Sequence, residues 1–62
     1  MTNLIFKGFS DGVYILEGIY TTKKSAQDEQ KRYKSIGRKA KIKTEIDRYN
    51  PSGFVHVLWI KD

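Results

Sequence analysis

Four stretches of the chain place their apolar residues as β-strands do, and one stretch between them has helical spacing. The strand patterns cover residues 4–9, 13–20, 38–47 and 54–60, and the helical stretch covers residues 23–36. The third strand pattern is the clearest, because apolar or small residues alternate with charged residues along its whole length. The predicted order is therefore ββαββ, with connections short enough for one α+β layer.

Turn and cap residues mark the boundaries between these stretches. Asp11-Gly12 is a favoured hairpin pair between the first two strands. Thr21 and Thr22 offer an N-cap hydroxyl to the helix, and Gly37 is placed to end it. We predict a small single α+β domain over residues 1–62, in which a four-stranded, mainly antiparallel sheet carries one helix on one face.

The last strand pattern, residues 54–60, is apolar on both of its alternating sets, as in a central strand with something packed on each side. One helix covers only one face, so we expect the second face to be covered by a second copy of the chain, as a homodimer, or by a ligand. We expect Phe6 and Phe54 in the core. Trp59 is expected there too, with its indole N–H bonded to a carbonyl, and the alternative for Trp59 is an anchor at a partner surface.

The composition excludes several classes of protein. The chain has 62 residues and no cysteine, so disulfides and thiolate metal sites are excluded. Its first residues lack the basic segment and long apolar run of a signal peptide, and no window approaches the ~20 apolar residues of a membrane span. We expect a cytoplasmic protein with no membrane partner.

Positive charge is concentrated in the middle of the chain. Residues 23–43 hold nine basic and two acidic residues, whereas the rest of the chain holds three basic and five acidic ones. The net charge of +5 is therefore a local field of the kind that attracts polyanions.

The row Lys39, Lys41 and Lys43 is the strongest candidate for such a role. Alternate residues on one strand face are ~6.6 Å apart, close to the ~7 Å between successive phosphates of an extended single strand. The alternative is a solvated strand face whose lysines discourage edge-to-edge aggregation.

The candidate nucleic-acid-binding residues are basic side chains of the helix, third strand and following loop, with one loop tyrosine. They are Lys31, Lys34, Arg38, Lys39, Lys41, Lys43, Arg48 and Tyr49. If the apolar set of the third strand lies under the helix, the lysines share the open face with aromatic side chains that can stack on bases. The candidates for stacking are Tyr14 and Tyr20, or Phe54 and His56.

The leading prediction is a small non-catalytic accessory protein that binds DNA or RNA through phosphates, with low sequence specificity. The alternative is a protein–protein interaction module, an inhibitor or adaptor, that binds an acidic surface or a strand edge of its partner.

Enzymatic and metal-dependent functions are not predicted. The single histidine, His56, lies inside an apolar strand, where a hydrogen-bonded structural role is typical, and no serine lies in a nucleophile motif. One histidine and scattered acids do not supply the ligands of zinc or calcium. We expect no catalytic residue, cofactor or metal.

Overall fold

The chain forms a four-stranded antiparallel sheet and one helix, in a computed structural model that describes residues 4–61. The elements are β1 (Phe6–Phe9), β2 (Gly12–Tyr20), α1 (Lys23–Ser35), β3 (Lys39–Ile46) and β4 (Phe54–Lys61). The strand order is β1-β2-β4-β3, and each neighbouring pair is antiparallel. The predicted α+β class and ββαββ order are confirmed. Residues 1–3, which contributed to the signal-peptide argument, and Asp62 lie outside the described residues.

The predicted boundary residues act as their chemistry requires. Gly12 has φ 136° in the β1–β2 turn, and Gly37 has φ 84° just after the helix, both in the region that favours glycine. The Thr22 side chain caps α1 by accepting a hydrogen bond from the Ser25 backbone N–H. The helix ends at Ser35, and Ile36 is its C-cap residue.

An irregularity in β2 redirects the second half of that strand. The pairing of β2 with β4 shifts register between Leu16 and Gly18, which leaves Glu17 as an extra residue. Gly18 then lies opposite Leu58, and Tyr20 lies on the same side of the sheet as Gly18. The bulge was one of two roles that the sequence allowed for Gly18.

The register divides the sheet into two faces, because paired residues point to the same side. The helix face contains Ala40 and Leu58, which are buried together with Ala26 of α1. The lysine face contains Lys39, Lys41 and Lys43 of β3, with Trp59 and Val57 of β4 opposite the last two. The helix is further tied to β3 by Gln30, whose side-chain amide donates to the Ala40 carbonyl at 2.9 Å.

The lysine face is not flat. Strands β1 and β3 are the two edges of the sheet, yet the Lys41 ammonium lies 5.0 Å from the ring centroid of Phe9 in β1. The sheet therefore curls around a cluster in which Tyr14, Val57 and Trp59 are buried, with Phe9 and Leu16 packed against them. The curvature of the sheet and the lysine side chains therefore shield much of this face from solvent.

Two predictions about the core need correction: the burial of Phe6 and Phe54, and the hydrogen bond of the Trp59 indole. Phe6 and Phe54 are 58% and 48% exposed rather than buried, because β1 and the far end of β4 extend past the part of the sheet that α1 covers. Ile46, in the apolar set of β3, is 81% exposed for the same reason. Trp59 is buried as expected, but its indole N–H has no hydrogen-bond partner among the described residues.

Candidate nucleic-acid interface

The predicted lysine row lies on the face opposite the helix. Lys39, Lys41 and Lys43 pair with Lys61, Trp59 and Val57, respectively. Lys39 and Lys43 are exposed, whereas Lys41 is half-buried because its side chain lies over the Phe9 and Tyr14 rings. The row therefore presents charge at the surface while one of its members also covers part of the core.

Basic side chains from the end of α1 and the start of β3 meet around one surface cavity of about 420 Å³. Its lining residues are Asp11, Tyr14, Lys34, Gly37, Arg38, Lys39, Ala40 and Lys41. Four of the eight predicted binding residues thus line a single depression. They meet there because the helix ends at Ser35 and the chain turns at Gly37 directly into the edge strand.

A second surface cavity, of about 460 Å³, continues along the helix. It is lined by Lys24, Gln27, Asp28, Gln30, Lys31 and Lys34. Lys34 lines both cavities, so the helix lysines are continuous with those of β3 around the edge of the sheet. We call the lysines and arginine that line the two cavities, together with Lys43 of the same β3 row, the basic surface: Lys24, Lys31, Lys34, Arg38, Lys39, Lys41 and Lys43.

Two acidic residues lie beside the basic surface: Asp28 lines the helix cavity, and Asp11 of the β1–β2 turn lies among the lysines of β3. The Asp11 carboxylate accepts hydrogen bonds from the Lys41 ammonium at 2.9 Å and from the Tyr14 hydroxyl at 2.7 Å. The Lys39 ammonium lies 3.9 Å away, and the Lys61 ammonium donates to the Asp11 backbone carbonyl. Asp11 therefore links the β1–β2 turn to β3 and β4, and its carboxylate neutralises part of the lysine charge.

These contacts shift two pKa values in the directions that their chemistry requires. The hydrogen bond from Tyr14, then that from Lys41, lowers the pKa of Asp11 to about 2. Burial, and then the hydrogen bond to Asp11, raises the pKa of the Tyr14 phenol to about 12. At neutral pH the pair is therefore an ionised carboxylate and a neutral phenol.

The two largest aromatic side chains of the lysine face, Tyr14 and Trp59, are not available for stacking on bases. Tyr14 is fully buried and Trp59 is 8% exposed. The Lys7 ammonium lies 5.8 Å from the Trp59 ring centroid, and Lys41 lies over Tyr14. This face therefore offers ammonium groups to a ligand and keeps its two largest aromatic rings beneath them.

The other proposed stacking residues lie elsewhere. Tyr20, His56 and Phe54 are all on the helix face, since the register places them with Leu58. Tyr20 is half-buried, and its hydroxyl donates to the Glu17 carboxylate at 2.8 Å. The expectation that these three share a face with the lysine row is wrong.

Arg48 and Tyr49 are separated from the other predicted site residues. They lie in the β3–β4 loop, which follows Ile46 at the opposite end of β3 from Lys39, about 23 Å along the strand. Tyr49 is 98% exposed, as a loop aromatic can be, and its backbone N–H is held by Asp47 at 2.9 Å. The structure does not bring these two residues together with the basic surface.

The structure bears on two further side-chain roles within residues 4–61, metal binding and the role of the histidine. No group of three or more metal-ligating side chains of the His, Cys, Asp or Glu type occurs within residues 4–61. His56 Nδ1 lies 3.0 Å from the Thr44 hydroxyl on the neighbouring strand, which agrees with a hydrogen-bonded structural role. None of the helices in that range is long and apolar enough to cross a membrane.

Sequence reasoning missed Asp11, Phe9 and Lys61 as members of this site. Asp11 was recognised only as a turn former, and its approach to Lys41, thirty residues away, depends on the curl of the sheet. The alternation of side chains assigns Phe9 to one face of β1 and Lys61 to one face of β4. It does not reveal which face of the sheet these residues share with the lysine row.

The chain matches no family model, and no curated protein or solved structure is significantly similar to it.

Proposed function

We propose that this protein is a non-catalytic nucleic-acid-binding accessory protein that holds phosphate groups on its basic surface. The observation that carries the proposal is the meeting of Lys34, Arg38, Lys39 and Lys41 around one cavity. Convergent cations of this kind bind the regularly spaced charges of a polyanion more strongly than scattered ones.

The mode of binding that we propose is contact with the sugar–phosphate backbone. Tyr14 and Trp59 are buried, and Phe9 is half-buried with the Lys41 ammonium over its ring. The lysine face therefore offers little ring surface for stacking, so base identity contributes little and sequence specificity is low. Both DNA and RNA present the required phosphates. A cytoplasmic location belongs to the same proposal.

The edge position of β3 supports this use of the surface. Ammonium groups reach a ligand from both sides of the edge strand, since Lys34 comes from the helix and Lys39 and Lys43 come from the lysine face. A rod-shaped polyanion lying along this edge meets several cations at once. About five neutralised phosphates on duplex DNA give a slope of log K against log salt concentration near −4.5.

The test is fluorescence polarisation with labelled 20-nucleotide single strands and 20-base-pair duplexes at two salt concentrations. The double variant Lys39→Gln with Lys43→Gln removes two exposed charges of the basic surface. We expect it to bind at least tenfold more weakly at low salt, with a slope smaller by about 1.8.

The matched control is Lys23→Gln with Arg48→Gln, which removes two exposed charges outside the basic surface. We expect its affinity to fall less than threefold, because Lys23 lines neither cavity and Arg48 lies in the loop at the other end of β3 from Lys39. Equal losses in the two double variants, or wild-type binding that does not change with salt, would refute the proposal.

A homodimer through the open sheet face is the other occupancy that we considered for the lysine face. Joining two lysine faces would bring Lys39 and Lys43 of one copy near cations of the other, and like charges repel. Nucleic acid is therefore the occupant that we favour for this face.

One observation favours the alternative function, a protein–protein interaction module. Ile46 and Phe54 are paired neighbours on the helix face, at the end of the sheet that α1 leaves uncovered, and both are exposed. An apolar pair of this kind suits a protein partner. Ile46→Ser would weaken binding to such a partner and would leave nucleic-acid affinity unchanged within twofold, as measured in the same titration.

A further inference from the structure

The Asp11 carboxylate has the surroundings that a bound phosphate group would have. One oxygen accepts from the Lys41 ammonium at 2.9 Å, and the other accepts from the Tyr14 hydroxyl at 2.7 Å. A second ammonium, that of Lys39, lies 3.9 Å from the carboxylate. Hydroxyl and ammonium donors around paired anionic oxygens are the usual partners of backbone phosphates.

Two of the three lysines in the β3 row are therefore already engaged by an anion that belongs to the protein. Lys43, two residues beyond Lys41, points to the same face and lies farther along the strand from the Asp11 turn. A polyanion that uses Lys39 and Lys41 must compete with Asp11 for them. Asp11 is in an exposed hairpin turn, from which a side chain can rotate away.

We propose that Asp11 is an internal competitor for phosphate: its carboxylate occupies one phosphate position of the basic surface, and nucleic acid takes that position by displacing it. The inference rests on the proposed function and adds to it a residue that sets the affinity. Asp11 thus keeps Lys39 and Lys41 in place when no ligand is bound, at the cost of weaker binding.

The variant Asp11→Asn tests this directly. Asparagine keeps an acceptor for the Tyr14 hydroxyl, and Asn-Gly is as favourable a hairpin pair as Asp-Gly, so the turn is retained. We expect the variant to bind a 20-base-pair duplex roughly fivefold more tightly at 50 mM salt, the gain of one additional surface charge pair. The salt slope should steepen by about 0.9, corresponding to one further phosphate.

The matched control is Asp47→Asn, which removes the same charge at the other end of β3. Asp47 Oδ1 accepts from the Tyr49 backbone N–H, and asparagine keeps that bond. We expect its affinity to rise less than twofold. Equal gains for the two variants, or weaker binding by Asp11→Asn, would overturn the inference.

A thermodynamic cycle with Lys41→Gln separates local competition from a general charge effect. Lys41 is held by Asp11 in the wild type and is free for phosphate in Asp11→Asn, so its loss should cost at least threefold more affinity in the variant background. The same loss in both backgrounds would contradict the inference. If circular dichroism shows that Asp11→Asn is unfolded, Asp11→Ser, also suited to a turn, takes its place.

The outcomes distinguish this inference from the function beneath it. If neither the wild-type protein nor Asp11→Asn binds duplex or single strand at 50 mM salt, the proposed function is refuted, and the inference with it. Salt-dependent wild-type binding without a specific gain in Asp11→Asn would overturn the inference alone.

Discussion

The two faces of this sheet bury their apolar residues by different means. On the helix face, α1 lies over β3 and β4, and Ala26, Ala40 and Leu58 are sealed between the layers. On the lysine face no second layer lies within the described residues 4–61, and the sheet instead curls around Tyr14 and Trp59.

This difference shows how a small domain can make a core and a charged surface from the same residues. A lysine carries four methylene groups, which can lie over aromatic rings while the ammonium stays in water. Lys41 over Phe9 and Tyr14, and Lys7 over Trp59, are arranged in this way. The lysine face therefore presents its ammonium groups to solvent without exposing the rings of Tyr14 and Trp59.

The largest expected effect tests the helix face. Leu58→Ala should destabilise the domain by about 3 kcal/mol, because it removes a fully buried side chain and leaves a cavity between helix and sheet. Ile46→Ala on the same face should cost less than about 0.5 kcal/mol, because Ile46 is exposed. Urea unfolding followed by circular dichroism measures both, and similar losses would contradict the described packing.

The next effect tests whether a lysine contributes to the core of the lysine face. Lys41→Ala should destabilise the domain by about 1 kcal/mol through lost packing on Phe9 and Tyr14. Lys43→Ala, at an exposed position of the same row, should cost less than about 0.5 kcal/mol. Indistinguishable values in urea unfolding would mean that the lysine stems do not cover the core.

A smaller effect is expected at Trp59. Its indole N–H is buried without a partner among the described residues, and an unpaired buried donor costs about 1–3 kcal/mol. Trp59→Phe removes that donor but also loses ring volume, so we expect the stability to change by less than about 1 kcal/mol. A loss above about 3 kcal/mol, measured by thermal and urea unfolding, would contradict this expectation.

The smallest effect concerns acid stability. Because the pKa of Asp11 is lowered in the folded state to about 2, its ionised form stabilises the fold above the ordinary carboxyl pKa. That contribution is lost as the pH falls from about 4 to about 2. The stability difference between wild type and Asp11→Asn should therefore shrink over this range in urea unfolding. A difference that stays constant would contradict the Asp11 contacts.

Local sequence signals were sufficient for the elements of this fold. Hairpin, capping and helix-ending residues at Gly12, Thr22 and Gly37 depend on backbone conformation within a few positions, so the order ββαββ could be predicted. How much of the sheet the helix covers could not be predicted. The exposure of Phe6 and Ile46 depends on where a short helix stops over the sheet, which no local pattern records.

The candidate site was predictable only in its charges. The clustering of bases in residues 23–43 indicated a polyanion surface, and the two-residue period placed Lys39, Lys41 and Lys43 on one face. The role of Asp11 was not predictable, because its contact with Lys41 arises from the curl of the whole sheet. The separation of Arg48 from Lys39 follows from the length of β3, which the strand pattern over residues 38–47 already indicated.

The most direct test is a nuclear magnetic resonance titration of ¹⁵N-labelled protein with a short duplex, read from its amide signals. We predict that the largest shift changes fall on Asp11, on residues 34–43 and on the exposed side of α1, and that they diminish as salt is added. Changes concentrated instead on Ile46, the β3–β4 loop and Phe54, or no change at low salt, would contradict the assignment of the basic surface as the binding site.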